Sequence, residues 1–308
     1  MVSTALPVVR EELIARVPFA ACGATAPVVV GCSGGADSTA LLALAAAARL
    51  DPVAVHVDHG IRSGSAGETA LVAASASRFG ARCSAVAVTV PGGPNLEARA
   101  RDARLAALEQ ARLDVGASVV LLGHTADDQA ETVLLNVLRG AAASGLAAMA
   151  LRRDRFARPL LGWRRTETRE LCAELGVDVF SDPMNADPAF RRVAIRREVL
   201  PLLERIAGRD LAPVLARQAD LLREESEFLD VLAAQQWPGP DGRATSTALD
   251  ALHPVLARRA VRAWLGAPPP SAGEVARVLA VAAGTARAAE LAGGRSVRRT
   301  RGALVLTR

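Results

Sequence analysis

The 308-residue chain predicts an α/β fold, a doubly wound parallel sheet followed by a smaller, mainly helical C-terminal domain. Three observations predict it. Apolar strand-like runs alternate with helical runs through residue 122. A short glycine-serine loop, Ser33-Gly34-Gly35-Ala36-Asp37-Ser38, joins the apolar run Val28-Val29-Val30 to a helix. Positive charge collects in the second half: residues 1–150 carry 11 arginines against 13 acidic residues, and residues 151–308 carry 26 against 19.

In chain order, Val28–Cys32 reads as a strand and Thr39–Leu50 as a helix. Asp51-Pro52 precedes a strand over Val53–Val57, and a helix from about Ala66 to Phe79 stops at Gly80. Cys83–Val90 is a strand closed by Pro91-Gly92-Gly93-Pro94. Leu96–Arg112 is a long helix and Val119–Leu122 a short buried strand. Thr125 can cap the next helix, which Arg139-Gly140 ends, with Val133, Leu134, Val137 and Leu138 as its apolar stripes. Regularity falls away between residues 140 and 195, where Glu170–Leu175 closes a helix at Gly176 and Asp182–Pro188 is a loop. Residues 192–232 are helical with a break near Gly208, Trp237–Gly242 is a turn cluster, and Thr247–Leu265 is a helix. Ser271 can cap a further helix, and Ser296–Leu306 alternates like a hairpin around Arg301-Gly302. The domain boundary is expected near residue 212, giving domains 1–212 and 213–308.

The loop after the first strand is an anion nest. Its amides and the following helix N-terminus suit a phosphate, Gly34 and Gly35 leave it room, and Ser33 and Ser38 add hydroxyls. Asp37 would repel a bare phosphate, so it makes most sense holding a bridging cation. A helix cap serving stability alone is the competing reading. All 37 basic residues are arginine, which excludes a Walker-A loop and lysine Schiff-base chemistry. No G-x-G-x-x-G follows a predicted strand. The lysine-free loop resembles the PP-loop of the N-type ATP pyrophosphatases, which split ATP into AMP and pyrophosphate.

Two further motifs lie just after strands. His56-Val57-Asp58-His59-Gly60-Ile61-Arg62 suggests a metal cluster, but a strand alternates faces and further ligands at zinc spacing are missing. A loop beside the adenine is the simpler reading. In Gly123-His124-Thr125-Ala126-Asp127-Asp128-Gln129-Ala130-Glu131, the residues His124, Asp128 and Glu131 share one helix face. Three acids in five residues call for a cation, either Mg²⁺ or an amine, although an acidic first turn would also complement the helix dipole. Arg101 and Arg104 share a helix face that reads as surface, with Glu97 four residues before Arg101 as an ordinary ion pair. The four cysteines lack C-x-x-C spacing and are expected as free thiols. No signal peptide is evident, and the run Ala40–Ala48 is too short to span a bilayer, so a cytoplasmic location without a membrane partner is expected.

Together, V-V-V-G-C-S-G-G-A-D-S, H-V-D-H-G-I-R, N-L-E-A-R-A-R-D-A-R, L-G-H-T-A-D-D-Q-A-E-T-V-L-L-N-V-L-R-G, R-P-L-L and D-P-M-N-A-D resemble the motifs of the tRNA(Ile)-lysidine synthase family in its shorter form. They run in order through about residues 28–205. One departure is Arg192-Val193-Ala194-Ile195-Arg196, where the family usually carries Arg-Asn-Arg-Ile-Arg. The resemblance implies ATP-dependent ligation of lysine to C2 of the wobble cytidine of the CAU-anticodon isoleucine tRNA, through an adenylated cytidine. It implies ATP held by Ser33, Gly34, Gly35, Ala36, Asp37, Ser38, His56, Asp58 and Gly123, and Mg²⁺ held by Asp37 and Asp127. Catalysis falls to Asp37, Arg104, His124, Asp128 and Glu131: the last two grip L-lysine, and Arg104 rises from surface to a stabiliser of phosphate charge. Arg62, Arg139, Arg192 and Arg196 face the tRNA. The sequence admits a homodimer.

Three other readings share parts of this pattern. A tRNA thiolase has the same loop but also C-x-x-C pairs; an NAD- or GMP-synthetase-like amide former needs no basic second domain. A non-enzymatic nucleotide-binding module would not need His124, Asp128 and Glu131 aligned.

Overall fold

The computed structural model describes residues 8–58, 65–90, 96–180, 191–239 and 243–307. The chain divides into two compact units, residues 1–220 and 221–308. The first begins with a short helix α1 (Glu11–Ala15) and continues β1 (Val28–Gly31), α2 (Ala36–Ala47), β2 (Pro52–Asp58), α3 (Ser65–Arg78), β3 (Arg82–Ala87), α4 (Leu96–Asp114), β4 (Val120–Leu122) and α5 (Ala126–Leu138). After α6 (Ala143–Leu146) come β5 (Arg152–Arg153), β6 (Phe156–Ala157), α7 (Arg165–Glu174) and α8 (Arg191–Ala194), which runs through a π turn (Ile195–Val199) into α9 (Leu200–Ala207).

Six strands form one sheet in the order β3-β2-β1-β4-β6-β5. All pairs are parallel except β5 with β6. The chain goes from β1 outward through β2 and β3, then returns to place β4 on the other side of β1. The crevice beyond the carboxyl ends of β1 and β4 is therefore the switch point, where doubly wound sheets bind ligands. Both faces of β1 are covered. Val28 and Val30 join the core with Leu41, Leu44 and Trp163, and Val29 joins the opposite core with Val53, Val120 and Leu108. That two-sided burial is why the central strands read as unbroken apolar runs.

Three local expectations change. Helix α2 starts at Ala36, so Asp37 and Ser38 belong to its first turn. Gly35 is extended at the N-cap, and the helix dipole favours Asp37 there. Strands β5 and β6, two residues each, fill the stretch without a periodic signal. On α5, Val137 and Leu138 are exposed instead of packed, while Val133 and Leu135 are buried.

The division into units falls within α10 (Ala212–Gln236). The second unit continues with α11 (Ser246–Asp250), α12 (Pro254–Leu265), α13 (Ala272–Ala282) and a three-stranded antiparallel sheet, β7 (Ala288–Glu290), β8 (Ser296–Thr300) and β9 (Ala303–Thr307). The single helix expected over residues 247–265 is thus two, because Pro254 cannot continue a helix but suits the first turn of a new one. The hairpin is as expected: Arg301 and Gly302 both take positive φ, 49° and 76°, the pattern of a two-residue turn. Trp237, Leu249, Val261, Val278 and Val297 are buried at the centre of this unit. Cys22, Cys32, Cys83 and Cys172 are free thiols, as expected. No helix among the described residues is long and apolar enough to cross a membrane.

Ser271 caps α13 as expected, accepting from the Glu274 N–H at 3.2 Å, and Glu274 repays it. Its carboxylate accepts from the N–H of Ala292 (2.7 Å) and from the N–H and hydroxyl of Ser271 (2.7 Å each). These donors, Ala292 first, hold the Glu274 carboxyl down to about 2. A depressed carboxyl stabilises the fold fully above its unfolded value of 4.5 and loses that contribution as pH falls through about 2. Glu274→Gln is therefore expected to melt below the wild type at neutral pH. Thermal melts at stepped pH should show the gap closing below pH 4.5; a pH-independent gap would refute the carboxylate's role.

Candidate active site

The loop after β1 is organised from within. The Ser38 hydroxyl donates to the Gly35 carbonyl (3.0 Å) and accepts from the Ser33 N–H (3.2 Å). Gly34 takes φ +78°, a conformation that glycine adopts without strain, and its carbonyl accepts from the Phe180 N–H at 2.8 Å. Among the described residues no side chain caps α2, which leaves its first amides suited to an anion. Gly123, just after β4, lies against this turn. A Cβ there would sit 2.9 Å from the Asp37 carbonyl carbon and oxygen and 3.0 Å from the Ser38 nitrogen. Only a glycine lets β4 approach the loop so closely. His56 is buried, and its Nδ1 donates to the Cys32 carbonyl at 3.0 Å, immediately before the loop. Half-buried Asp58 ends β2, and its carbonyl accepts from the Val88 N–H.

The acidic residues of α5 converge on two arginines at the start of α7. Arg165 meets Asp128 at 2.8 Å, Glu131 at 3.3 Å and Asp37 at 3.6 Å. Arg164 pairs with Asp127 at 3.0 Å and also with Asp210. Glu131, 1% exposed, takes a second guanidinium from Arg196 at 2.6 Å. Asp127 further accepts the Arg165 N–H at 2.8 Å, so it caps α7. Thr125 is the N-cap of α5, as expected, and forms a capping box with Asp128. Its N–H and hydroxyl donate to Asp128 at 2.9 and 3.0 Å.

These contacts set the charges. Burial raises the Asp37 carboxyl, and the nearby Asp128 and Asp127 add to that, against a hydrogen bond from Thr168 and the charge of Arg165. Burial also works against ionised Asp127 and Asp128, but Arg164 and Arg165 outweigh it and both carboxyls lie below the usual range. His124 goes the other way. Burial pulls it well below its usual 6.5 in spite of Asp128, and Arg158, Arg101 and Arg104 pull in the same direction. It is neutral near pH 7.

Beside His124 lies a positive group. Arg104 is not a surface residue: its Nε is buried without a hydrogen-bond partner among the described residues. Burial, then Arg101 and Arg192, lower its pKa. His124 Nδ1 is likewise buried without such a partner. Cations crowded together with polar atoms unsatisfied make a place for an anion.

Of the residues expected at the site, Asp37, Gly123, His124, Asp128 and Glu131 come together around the crevice, with Arg104 and Asp127 beside them. Arg192 and Arg196 are turned toward α5: Arg192 donates to the Thr132 hydroxyl at 2.9 Å and Arg196 binds Glu131. Val193 and Ile195 between them are buried, which gives an apolar residue at 193 a packing role. Arg139 is exposed at the opposite end of α5, about 16 Å along the helix from Asp128. Arg62 and His59, the Asp182–Pro188 loop, Pro91–Pro94 and the Glu97 side chain lie outside the described residues. Arg164, Arg165 and Thr168 were not anticipated. The signal for the arginines was their place: two cations at a helix N-terminus oppose its dipole and need acids from elsewhere.

Asp37 fits a Mg²⁺ site, being a half-buried carboxylate raised in pKa beside amides suited to phosphate. Asp127 is already committed to Arg164 and the α7 cap. No group of three or more His, Cys, Asp or Glu among the described residues could hold a metal ion by itself.

The fold and this crevice define an ATP-utilising enzyme of the PP-loop class. Residues 14–203 match the family of PP-loop domains, and residues 246–305 match the TilS substrate binding domain. The chain is 46% identical over 246 residues to the tRNA(Ile)-lysidine synthase of Nocardia farcinica, covering 79% of this chain and 76% of that one. It is 46% identical over 264 residues to the Mycobacterium tuberculosis H37Rv protein of the same name (82% and 78%), and 47% over 261 residues to that of Salinispora tropica (79% and 78%). Among solved structures, the U34-tRNA thiolase NcsA of Methanococcus maripaludis superposes with a TM-score of 0.56 at 16% identity, over 70% of this chain and 79% of that one, a likeness of fold alone. The chain belongs to the tRNA(Ile)-lysidine synthase family and is an ATP-using ligase.

Gly123→Ala is expected to weaken binding of a non-hydrolysable ATP analogue by about tenfold or more, because the added carbon meets backbone that cannot yield cheaply. Titration calorimetry on the folded variant checks this, and unaltered affinity would separate the close approach from nucleotide binding. In an NMR titration, the His124 imidazole should stay neutral from pH 8 down to about 5.

Proposed function

We propose that this chain joins L-lysine to C2 of the wobble cytidine of a CAU-anticodon isoleucine tRNA, consuming ATP and releasing AMP and pyrophosphate. The observation that carries the reading is one crevice in which a phosphate nest with its carboxylate, Asp37, adjoins half-buried Asp128 and buried Glu131, a pair of carboxylates suited to an ammonium. Family membership supplies the tRNA and ATP.

In this reading the loop amides of residues 34–38 and Ser33 bind the phosphates of ATP. Asp37 would hold Mg²⁺, whose charge would offset that of the phosphates. The cytidine O2 attacks the α-phosphorus, forming an adenylated base. Arg104 and neutral His124, with orphaned buried nitrogens, stabilise the developing phosphate charge. Asp128 and Glu131 hold lysine. Its reacting amine, with a pKa of about 10.4 in water, gives up a proton and attacks C2, and AMP leaves. The basic stretch 213–308, which carries 13 arginines against 9 acids and includes the second unit, contributes tRNA binding through phosphate contacts.

Purified protein should release AMP only when isoleucine tRNA is present, and incorporate labelled lysine into it. Release without tRNA would favour another PP-loop chemistry. Asp37→Asn should abolish turnover with the fold intact by circular dichroism. Asp128→Asn and Glu131→Gln should raise the lysine requirement by about tenfold or more, as expected for losing a charged hydrogen bond, with little effect on ATP. A raised ATP requirement with an unmoved lysine curve would reassign both residues to the nucleotide.

A further inference from the structure

Arg165 stands where a cation is disfavoured, in the first turn of α7. It is held there by three carboxylates from two helices: Asp37 of α2, and Asp128 and Glu131 of α5. Under the function proposed above, these serve different substrates, Asp37 the nucleotide and the α5 pair lysine. The oxygens that an ammonium would use are occupied. Asp128 spends Oδ1 on Arg165 and Oδ2 on Thr125. Glu131 Oε1 accepts from both Arg165 Nη1 and Nη2 at 3.3 Å, and Arg196 takes both of its oxygens. An entering ammonium competes with Arg165 for these carboxylates and is repelled by its charge.

We propose that Arg165 is a place-holding cation that makes lysine binding conditional on nucleotide. In the absence of ATP it fills the lysine-binding carboxylates. When Mg²⁺·ATP engages Asp37, Arg165 loses one of its three partners and faces a competing positive charge. The triphosphate beside it offers new acceptors, which suit a planar guanidinium fork. Arg165 turns from carboxylate to phosphate, which opens Asp128 Oδ1 to the amine and leaves Glu131 with Arg196 as its one remaining guanidinium among the described residues. The coupling is reciprocal, so lysine also tightens nucleotide binding.

The test measures L-lysine dissociation constants for the full chain by calorimetry, with and without Mg²⁺ and a non-hydrolysable ATP analogue. Wild type should bind lysine about tenfold or more tighter with the analogue present. Arg165→Gln should bind lysine without nucleotide about tenfold tighter than wild type, and its nucleotide effect should fall below about twofold. Arg165→Lys, which keeps the charge but cannot bridge three carboxylates, should fall between the two without nucleotide. Absence of coupling in the wild type overturns the proposal even if Arg165→Gln fails to fold. So does weaker nucleotide-free lysine binding in Arg165→Gln, or unchanged binding in Arg165→Lys; Arg165 would then be a static support. If Asp128→Asn binds lysine as wild type does in both states, the lysine site itself is misassigned, an outcome distinct from failure of the coupling.

Discussion

The ion cluster centred on Arg165 is the constraint on which the site depends. Asp37, Asp128 and Glu131 come from two helices that follow neighbouring strands, and all three are largely withdrawn from water. Buried carboxylates so close together repel one another and lose hydration, so the arrangement persists only because cations lie among them. Arg165 from α7 and Arg196 from the π turn supply that charge. The cluster thereby ties α2, α5, α7 and the π turn to one crevice. Removing one partner would leave the others buried and uncompensated, which makes such a cluster expensive to break although its net contribution to stability is small.

Around it the chain separates charge by sign. Carboxylates face the start of α7, while Arg101, Arg104 and Arg192 gather near a neutral His124. An enzyme that brings a triphosphate and an ammonium to the same base needs both kinds of ground a few ångströms apart. The sheet topology provides them. β1 delivers the glycine loop, β4 delivers the acidic helix, and Gly123 allows the two to meet at the switch point without a side chain between them.

Much of this was legible from residues alone. The apolar run Val28–Val30 and the glycines behind it marked the strand and the nest, and the spacing of His124, Asp128 and Glu131 marked one face. The lack of lysine removed the competing phosphate loops. Less was legible where the signal depended on partners. Arg104 reads as surface because its helix neighbours are charged, yet it is half-buried, with its Nε buried, beside two other arginines. The acids of α5 called for a cation, and Arg164 answers Asp127 while Arg165 and Arg196, 34 and 65 residues away in the chain, answer Glu131. Strands β5 and β6 were too short to show a period, and Pro254 split a helix that composition alone would have left whole.

By itself the sequence determined the local chemistry: which strands are buried on both faces, where glycine permits a phosphate, which acids share a helix face, and the family motifs in order. These follow from side-chain periodicity and short-range sterics, which act over a few residues. Only the tertiary structure decided which charges neutralise which, that Asp127 caps α7, and that Arg165 joins Asp37 to Asp128 and Glu131. The physical reason is that a buried charge must find its counter-charge in space, and the sequence says nothing of that distance until the sheet has folded.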